Sequence, residues 1–490
     1  MKINPLHLID WYKADHRRQY PPGTNLVFSN FTPRKSRIPG INHVVFFSLQ
    51  YFIKEYLIHL WNENFFKVER EKAVKSFKRR IDTSLGPDTV PLDHIYQLHD
   101  LGYLPLQIMA LPEGSVVPIK VAPFVVWNTR PEGFWLTNNI ETILSTTLWQ
   151  GCNSATIARE YKKIFDQGAR ETVGGTEFTP WQGHDFSFRG MSSLETACLS
   201  GSGHLLSFNG TDTVPALDFL EEYYNADAEK ELIGGSVPAT EHSVMCMGTK
   251  EAEIDTFRRL LKLYPSGILS VVSDTWDYWK VLTETAVELK DEIMARGGKL
   301  VFRPDSSKKT PYQIICGDEE AEPGTPEYKG SIELLWEVFG GTTTDMGYKL
   351  LDTHVGLIYG DSITLDLARK INEGLKSKGF ATINWVAGIG SFTYQYNTRD
   401  TFGWAMKATY GEIDGQPREI FKDPKTDSGF KKSAKGLITV YKNESGEFYQ
   451  KDQSTWDEVM NCEYKCIFKD GQLLINQSLN EIRERVKNSL

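Results

Sequence analysis

A chain of 490 residues is too long for one simple hydrophobic core, and two domains are the natural expectation. Hydrophobic residues at 40% and charged residues at 24% are the balance of an ordinary soluble globular protein. The net charge of -9 argues against a general nucleic-acid binder, although an anion site can still be locally basic.

No apolar run follows a basic N-terminal stretch, so no signal peptide is expected. The most apolar helical candidate, residues 43–61, is interrupted by Lys54 and Glu55 and falls short of a membrane span. The six cysteines (Cys152, Cys198, Cys246, Cys316, Cys462 and Cys466) form no CxxC pair, which suits a reducing cytoplasm better than a disulfide framework. The expectation is a cytoplasmic protein with neither a membrane nor a nucleic-acid partner.

In chain order, LHLIDWYKADHRRQY reads as a short helical segment stopped by the turn Pro21–Pro22–Gly23, with Asp10, Tyr12 and Lys13 within one turn of each other. Arg34, Lys35 and Arg37 follow in a polar loop. Residues 43–83 read as two helices, one with a broad aromatic face and one strongly basic. Strand patterns LPLQIMAL, SVVPIKVAP and FVVWN occupy 101–127, and 137–172 returns to helix.

Beyond residue 180 strand and helix alternate. HLLSFNG (204–210), ILSVVSD (268–274), KLVFRPD (299–305), HVGLIYGD (354–361) and INWVAGIGS (383–391) each precede a helical pattern. Alternation at this spacing implies a parallel sheet with crossover helices, as a barrel or a doubly wound sheet. Asp212, Asp274, Arg303, Asp305, Asp361 and Gly390 collect after the strand ends, where such folds place ligands. The last hundred residues hold the basic loop KDPKTDSGFKKSAKG (422–436), two strand candidates and a charged helix.

The densest chemistry lies between Trp181 and His242. HDFSFRG supplies Phe186, Phe188 and Arg189, SFNGTDTVPAL supplies Asp212, and GGSVPATEHS ends in Glu241 and His242. Aromatic faces, a forked cation, a carboxylate and a loop histidine suit a small planar polar ring. Asp274, at a strand end, could hold one ring nitrogen of His242 and leave the other as a nucleophile. Arg303 and Asp305 lie two apart, so they either pair with each other or grip a phosphate and a ribose hydroxyl or magnesium. Gly360 permits close backbone approach beside Asp361, and the Gly-rich AGIGS, with Gly390 and Ser391, can offer N–H groups to phosphate. Arg399, Lys407, Lys431 and Lys432 raise the odds of a bound phosphate or pyrophosphate.

From IDWYKADHRRQYPPGT to KDPKTDSGFKKSAKGL the chain resembles the nicotinamide phosphoribosyltransferases of the type II phosphoribosyltransferase family. The resemblance implies an irregular parallel α/β barrel over 179–395 and an additional α+β domain built from 1–178 and 396–490. It implies transfer of phosphoribose from phosphoribosyl pyrophosphate to nicotinamide in NAD salvage, with ATP as co-substrate, Mg2+ and a homodimer with shared active sites. By resemblance, Phe186 and Tyr12 of the second subunit sandwich the nicotinamide ring, while Arg189 and Asp212 hold its carboxamide. Arg303, Asp305, Gly360, Asp361 and Gly390 bind phosphoribose, and Asp10 and Lys13 come from the second subunit. His242 is phosphorylated by ATP with Glu241 and Asp274 in support, and Arg34, Arg399, Lys407 and Lys431 line the phosphates. GIGSF carries fewer consecutive glycines than the family pattern, and the 308–330 insertion is distinctive. Metal ligands stay unassigned. The rival readings are a nicotinate phosphoribosyltransferase and a non-catalytic binding protein on the same fold.

Overall fold

Parallel strands covered on both faces read as unbroken apolar runs, and Val355–Tyr359 (VGLIY) is buried at all five positions. It is the centre of a curled six-stranded parallel sheet in the computed structural model, which describes residues 3–305, 308–360, 362–422 and 434–490. We label its strands β1 (Gly183–Asp185), β2 (Gly210–Thr211), β3 (Ser266–Val272), β4 (Gly297–Arg303), β5 (Val355–Tyr359) and β6 (Trp385–Ile389). Their order is β2-β1-β6-β5-β4-β3, and every pairing is parallel.

The two edge strands of this sheet are bridged by residues 235–240. Gly235 exchanges bonds with the β2 edge (Gly235 N–H to Asn209 O, 2.7 Å; Thr211 N–H to Gly235 O, 3.0 Å). Three residues on, Ser270 of β3 donates to Pro238 O at 2.9 Å, and Thr240 N–H donates to Ser270 O at 3.0 Å. The extended segment takes the place of a seventh strand and gives the α/β fold its irregular barrel character.

By internal packing the chain divides into two compact units. One comprises Met1–Thr156, Phe219–Ala226 and Asn397–Ser489, and the other Ile157–Asp218, Asp227–Tyr396 and Leu490. The first is built on a seven-stranded antiparallel sheet. Its order is Gln416–Glu419, Trp404–Ile413, Thr24–Pro33, Phe124–Asn128, Leu106–Ala110, Lys465–Lys469 and Gln472–Leu473. Phe31 stacks on Trp404 at 4.9 Å across adjacent strands, the kind of aromatic cross-strand pair that fixes register. The second unit contains the parallel sheet.

The helix expected over 137–172 runs Leu136–Val173. The 308–330 insertion folds into two short helices, Pro311–Cys316 and Pro326–Lys329, each started by a threonine cap and a proline. One expected strand does not form. Residues 204–210 were read as HLLSFNG in extended form, but His204 ends the helix Leu194–His204, and only Gly210–Thr211 pair as β2. The capping box between Ser193 and Thr196 starts that helix, which runs through the buried small-residue stretch to His204 and leaves the apolar residues after it in a turn. Among the described residues no helix is long and apolar enough to cross a membrane.

Candidate active site

The C-terminal ends of the parallel strands gather one group of site residues. Register places His184 of β1 opposite Gly210 of β2. A Cβ at position 210 would stand 2.6 Å from His184 Nδ1, so glycine there lets the imidazole lie across β2. From that position His184 Nε2 reaches Asp212 Oδ1 at 2.8 Å, and the Ser236 hydroxyl donates to the same oxygen at 2.6 Å. Burial works to raise the Asp212 pKa, but the hydrogen bonds from His184 and Ser236 and the charge of Arg303 outweigh it and hold the carboxyl below its ordinary value. Asp212 is therefore an ionised acceptor, with its side chain 44% exposed.

Phe186 continues β1, donating its N–H to Ile389 O at 2.9 Å. Its ring lies 4.6 Å from that of His184. The floor beneath is made of glycine. A Cβ on Gly388 would come 2.5 Å from Gly360 Cα and 2.8 Å from the Phe186 ring. One on Gly360 would sit 3.6 Å from that ring and 3.8 Å from Asp305 Oδ1. Phe186, Gly360 and Asp305 are thus immediate neighbours. Arg189 is exposed on the turn Phe188–Gly190, close enough for its charge to act on Arg303.

Arg303 ends β4. Burial draws its guanidinium below the usual arginine value, Asp305, Asp212 and Asp274 oppose that, and Arg189 adds repulsion. The guanidinium donates to Thr240 O at 2.5 Å and leaves Nε buried without a partner among the described residues. Asp305 does not pair with it. The Asp305 N–H donates to Asp274 Oδ2 at 2.8 Å, while Asp274 Oδ1 meets His242 Nε2 at 3.1 Å. One buried carboxylate therefore fixes both the Asp305 turn and the His242 ring. Holding Nε2–H against Asp274 sets the tautomer that leaves the Nδ1 lone pair outward, in a side chain 44% exposed. Glu241 stands at the N-cap position of the helix His242–Met247 without a side-chain cap bond, and accepts from the Ser243 hydroxyl rather than from His242. Gly390 opens the short helix Ser391–Tyr394, and nothing would crowd a Cβ there, so packing alone does not call for glycine.

The first unit holds a second group. Lys13 is buried and pairs with Glu141 Oε2 at 2.7 Å, and its ammonium lies 5.2 Å from the centre of the Tyr12 ring. Asp10 accepts from Thr142 Oγ1 at 2.8 Å. Tyr12 stays 64% exposed. Arg34 Nε donates to Gly403 O at 2.9 Å. Burial lowers the Lys407 ammonium, Glu141 opposes this, and repulsion from Arg34, Lys422 and Lys13 adds to it. Lys13, Arg34, Lys407 and Lys422 thus gather near a single carboxylate, Glu141, and leave an excess of positive charge in this part of the unit. Arg399 lies on the turn Arg399–Thr401, beside Asp400. Asp361 and Lys431 lie outside the described residues.

Comparison with known proteins follows this geometry. Residues 181–467 match the model of the nicotinate phosphoribosyltransferase (NAPRTase) family, and residues 4–108 match the nicotinamide phosphoribosyltransferase N-terminal domain. The chain is 54% identical to the nicotinamide phosphoribosyltransferase of Acinetobacter baylyi, over 100% of this chain and 98% of that one. The chain belongs to the nicotinamide phosphoribosyltransferase family. It is 33% identical to the Mycoplasma pneumoniae member, covering 86% of this chain and 93% of the relative. Its fold is shared with human nicotinic acid phosphoribosyltransferase (TM-score 0.51, 15% identity, 98% and 93% coverage). It is also shared with a nicotinate-nucleotide pyrophosphorylase from Pyrococcus furiosus (TM-score 0.57, 13% identity, 95% and 89% coverage).

As a member of this family the protein is an enzyme, a phosphoribosyltransferase of NAD biosynthesis. Four residues of this cluster, His184, Ser236, Thr240 and Gly388, do not stand out singly in the sequence. His184 carried a signal, standing two residues before Phe186 on one strand face. Ser236 and Thr240 carried none, because their importance comes from the bridging segment between β2 and β3.

Proposed function

We propose that the enzyme transfers phosphoribose from phosphoribosyl pyrophosphate to nicotinamide, giving nicotinamide mononucleotide and pyrophosphate. The observation that carries this reading is Asp212, an ionised acceptor held by His184, whose ring lies 4.6 Å from that of Phe186; there a carboxamide NH2 donates and a carboxylate would be repelled. The base stacks on Phe186, with Tyr12 of a second subunit on the opposite face. Arg189 donates to the amide oxygen. The pyridine nitrogen attacks the anomeric carbon as the bond to pyrophosphate breaks, and no protein nucleophile is required. Positive charge grows on the ribose and negative charge on the leaving group. The buried, unpartnered Nε of Arg303 and the strand-end carboxylate of Asp305 suit the phosphoribosyl phosphate and hydroxyls. Gly390, Ser391 and Asp361 line the same group.

Asp305, a carboxylate at a strand end, would be the residue to hold Mg2+ together with phosphate oxygens of the substrate. The metal's contribution when bound is to neutralise developing charge on the pyrophosphate. The cations Lys13, Arg34, Lys407, Arg399 and Lys431, with Asp10 orienting, serve the pyrophosphate and ATP phosphates in a homodimer with shared sites. His242 Nδ1, freed by the Asp274 contact, takes the γ-phosphoryl of ATP and releases ADP, and water then removes the phosphoryl group. That cycle couples ATP hydrolysis to transfer.

The test is kcat/KM for nicotinamide and nicotinate with phosphoribosyl pyrophosphate. Nicotinate loses the hydrogen bond to Asp212 and meets its charge, so a preference for the amide of about a hundredfold is expected, about two steps of 1.4 kcal/mol per tenfold. Asp212→Asn narrows the gap, mainly by losing nicotinamide efficiency. Equal use of both bases by the wild type, or an unchanged preference in Asp212→Asn, sinks this reading.

A further inference from the structure

The Asp212 carboxylate is divided. Oδ1 accepts from both His184 Nε2 and Ser236 Oγ, at 2.8 and 2.6 Å, and Oδ2 has no partner among the described residues. Two donors on one oxygen fix the plane of the carboxylate and decide which oxygen meets a ligand. His184 itself is seated with no slack, with Gly210 leaving room for its Nδ1 edge and the Phe186 ring at 4.6 Å.

We propose that His184 is a positioning residue for amide-over-acid selectivity: it presents Asp212 Oδ2 to the carboxamide while neutral, and on protonation it cancels the Asp212 charge that repels nicotinate. The inference rests on the reading of Asp212 as the carboxamide acceptor. Neutral His184 with Nε2–H adds no charge, so the pocket meets a nicotinate carboxylate with the full negative charge of Asp212. Protonated His184 forms an ion pair with Asp212 at the same contact, and the repulsion falls. The groups facing His184 are few. Asp212 and Ser236 touch its Nε2 side, buried Asp185 follows it on β1, and His204 lies near enough to interact with it. Arg303 acts on Asp212 from β4. Gly210, opposite on β2, brings no charge.

The consequence is a selectivity that depends on pH although both substrates keep their charge states. Between about pH 8 and about pH 5.5 nicotinate stays ionised and nicotinamide stays neutral, so a change of preference across that range reports a group of the protein. The experiment measures kcat/KM for both bases across that range in wild type, His184→Gln and His184→Ala. Wild-type preference for nicotinamide should shrink about tenfold toward low pH, through a falling KM for nicotinate. His184→Gln can still donate to Asp212 but cannot charge, so its amide preference should persist and become flat in pH. His184→Ala frees the carboxylate to turn, raises KM for nicotinamide about tenfold with little change in kcat, and is also flat. A pH-dependent preference that survives in His184→Gln overturns the proposal, as does a wild-type ratio that is already flat. A wild type that uses neither base overturns the assigned reaction instead. One that uses nicotinamide with a ratio indifferent to position 184 overturns only the role of His184.

Discussion

Single side chains in this enzyme act in tethered pairs, and the sequence reveals a pair only when both members announce themselves. His242 and Asp274 did, because one ends a Gly/Pro-held loop and the other follows a strand, and the structure brings them to 3.1 Å. In the pair His184–Asp212 only Asp212 stands out in the sequence. Their contact depends on the register that sets His184 opposite Gly210, a pairing across 26 residues that local pattern does not contain. The prediction at this scale concerns His242. His242→Ala should abolish both labelling of the protein from radiolabelled ATP and ATP hydrolysis, while weaker product formation without ATP persists. Asp274→Asn should reduce labelling at least tenfold, since a misplaced tautomer presents Nδ1–H where a lone pair is needed. Radiolabel retained in His242→Ala would refute the assignment.

At the scale of elements, the alternation of apolar runs and amphipathic stretches made the parallel sheet legible. Strands buried on both faces have little freedom to be anything but Val, Ile and Leu-rich. Short strands were not legible. Gly210–Thr211 is two residues long and sits behind a helix that the sequence pattern read as a strand. What decides the site here is the meeting of β5 and β6 beneath Phe186. Gly388→Ala puts a methyl 2.5 Å from Gly360 Cα, which is backbone and cannot step aside. The substitution should cost roughly 1–3 kcal/mol of stability, and it should lift Phe186 and lower kcat/KM for nicotinamide more than tenfold. Thermal unfolding and steady-state kinetics check the two halves separately. Full activity in Gly388→Ala would show that the ring's seat is not set by the strands below it.

For the whole molecule, two expectations follow, one of assembly and one of pH. The cations Lys13, Arg34 and Lys407, with exposed Tyr12, belong to the first unit, and Phe186, Arg303 and His242 belong to the second. If sites are shared across a homodimer, a Tyr12→Ala, Asp10→Ala chain mixed with a His242→Ala, Asp305→Ala chain should regain part of the activity, and verified heterodimers that stay inactive would rule sharing out. The pH expectation rests on Glu113, fully enclosed in the first unit. It accepts from the Ser48 and Gln50 N–H groups (2.8 and 2.5 Å) and the Tyr224 hydroxyl (3.0 Å), so it ties residues 48–50 to the segment Phe219–Ala226. Burial pushes its carboxyl up to about 7, against those hydrogen bonds and the charge of Arg485. A folded-state pKa above the unfolded one means that the contribution is fully present below the unfolded value. It is lost as pH rises from the ordinary carboxylate range through about 7, by roughly 3 kcal/mol. Glu113→Gln should lower the melting temperature at pH 5, by losing an acceptor, and yet show a flatter decline toward pH 8 than wild type. Parallel declines would place the pH sensitivity elsewhere. The bridge over residues 235–240 has a different kind of consequence, for length rather than chemistry. Surface loops ordinarily absorb insertions, but this segment is pinned at Gly235 on one side and at Pro238 and Thr240 on the other. One added or deleted residue would turn alternate side chains over and part Ser236 from Asp212 and His242 from Asp274 together. The stretch from Gly235 to His242 therefore behaves as a ruler: its letters can change at several positions, but its count cannot.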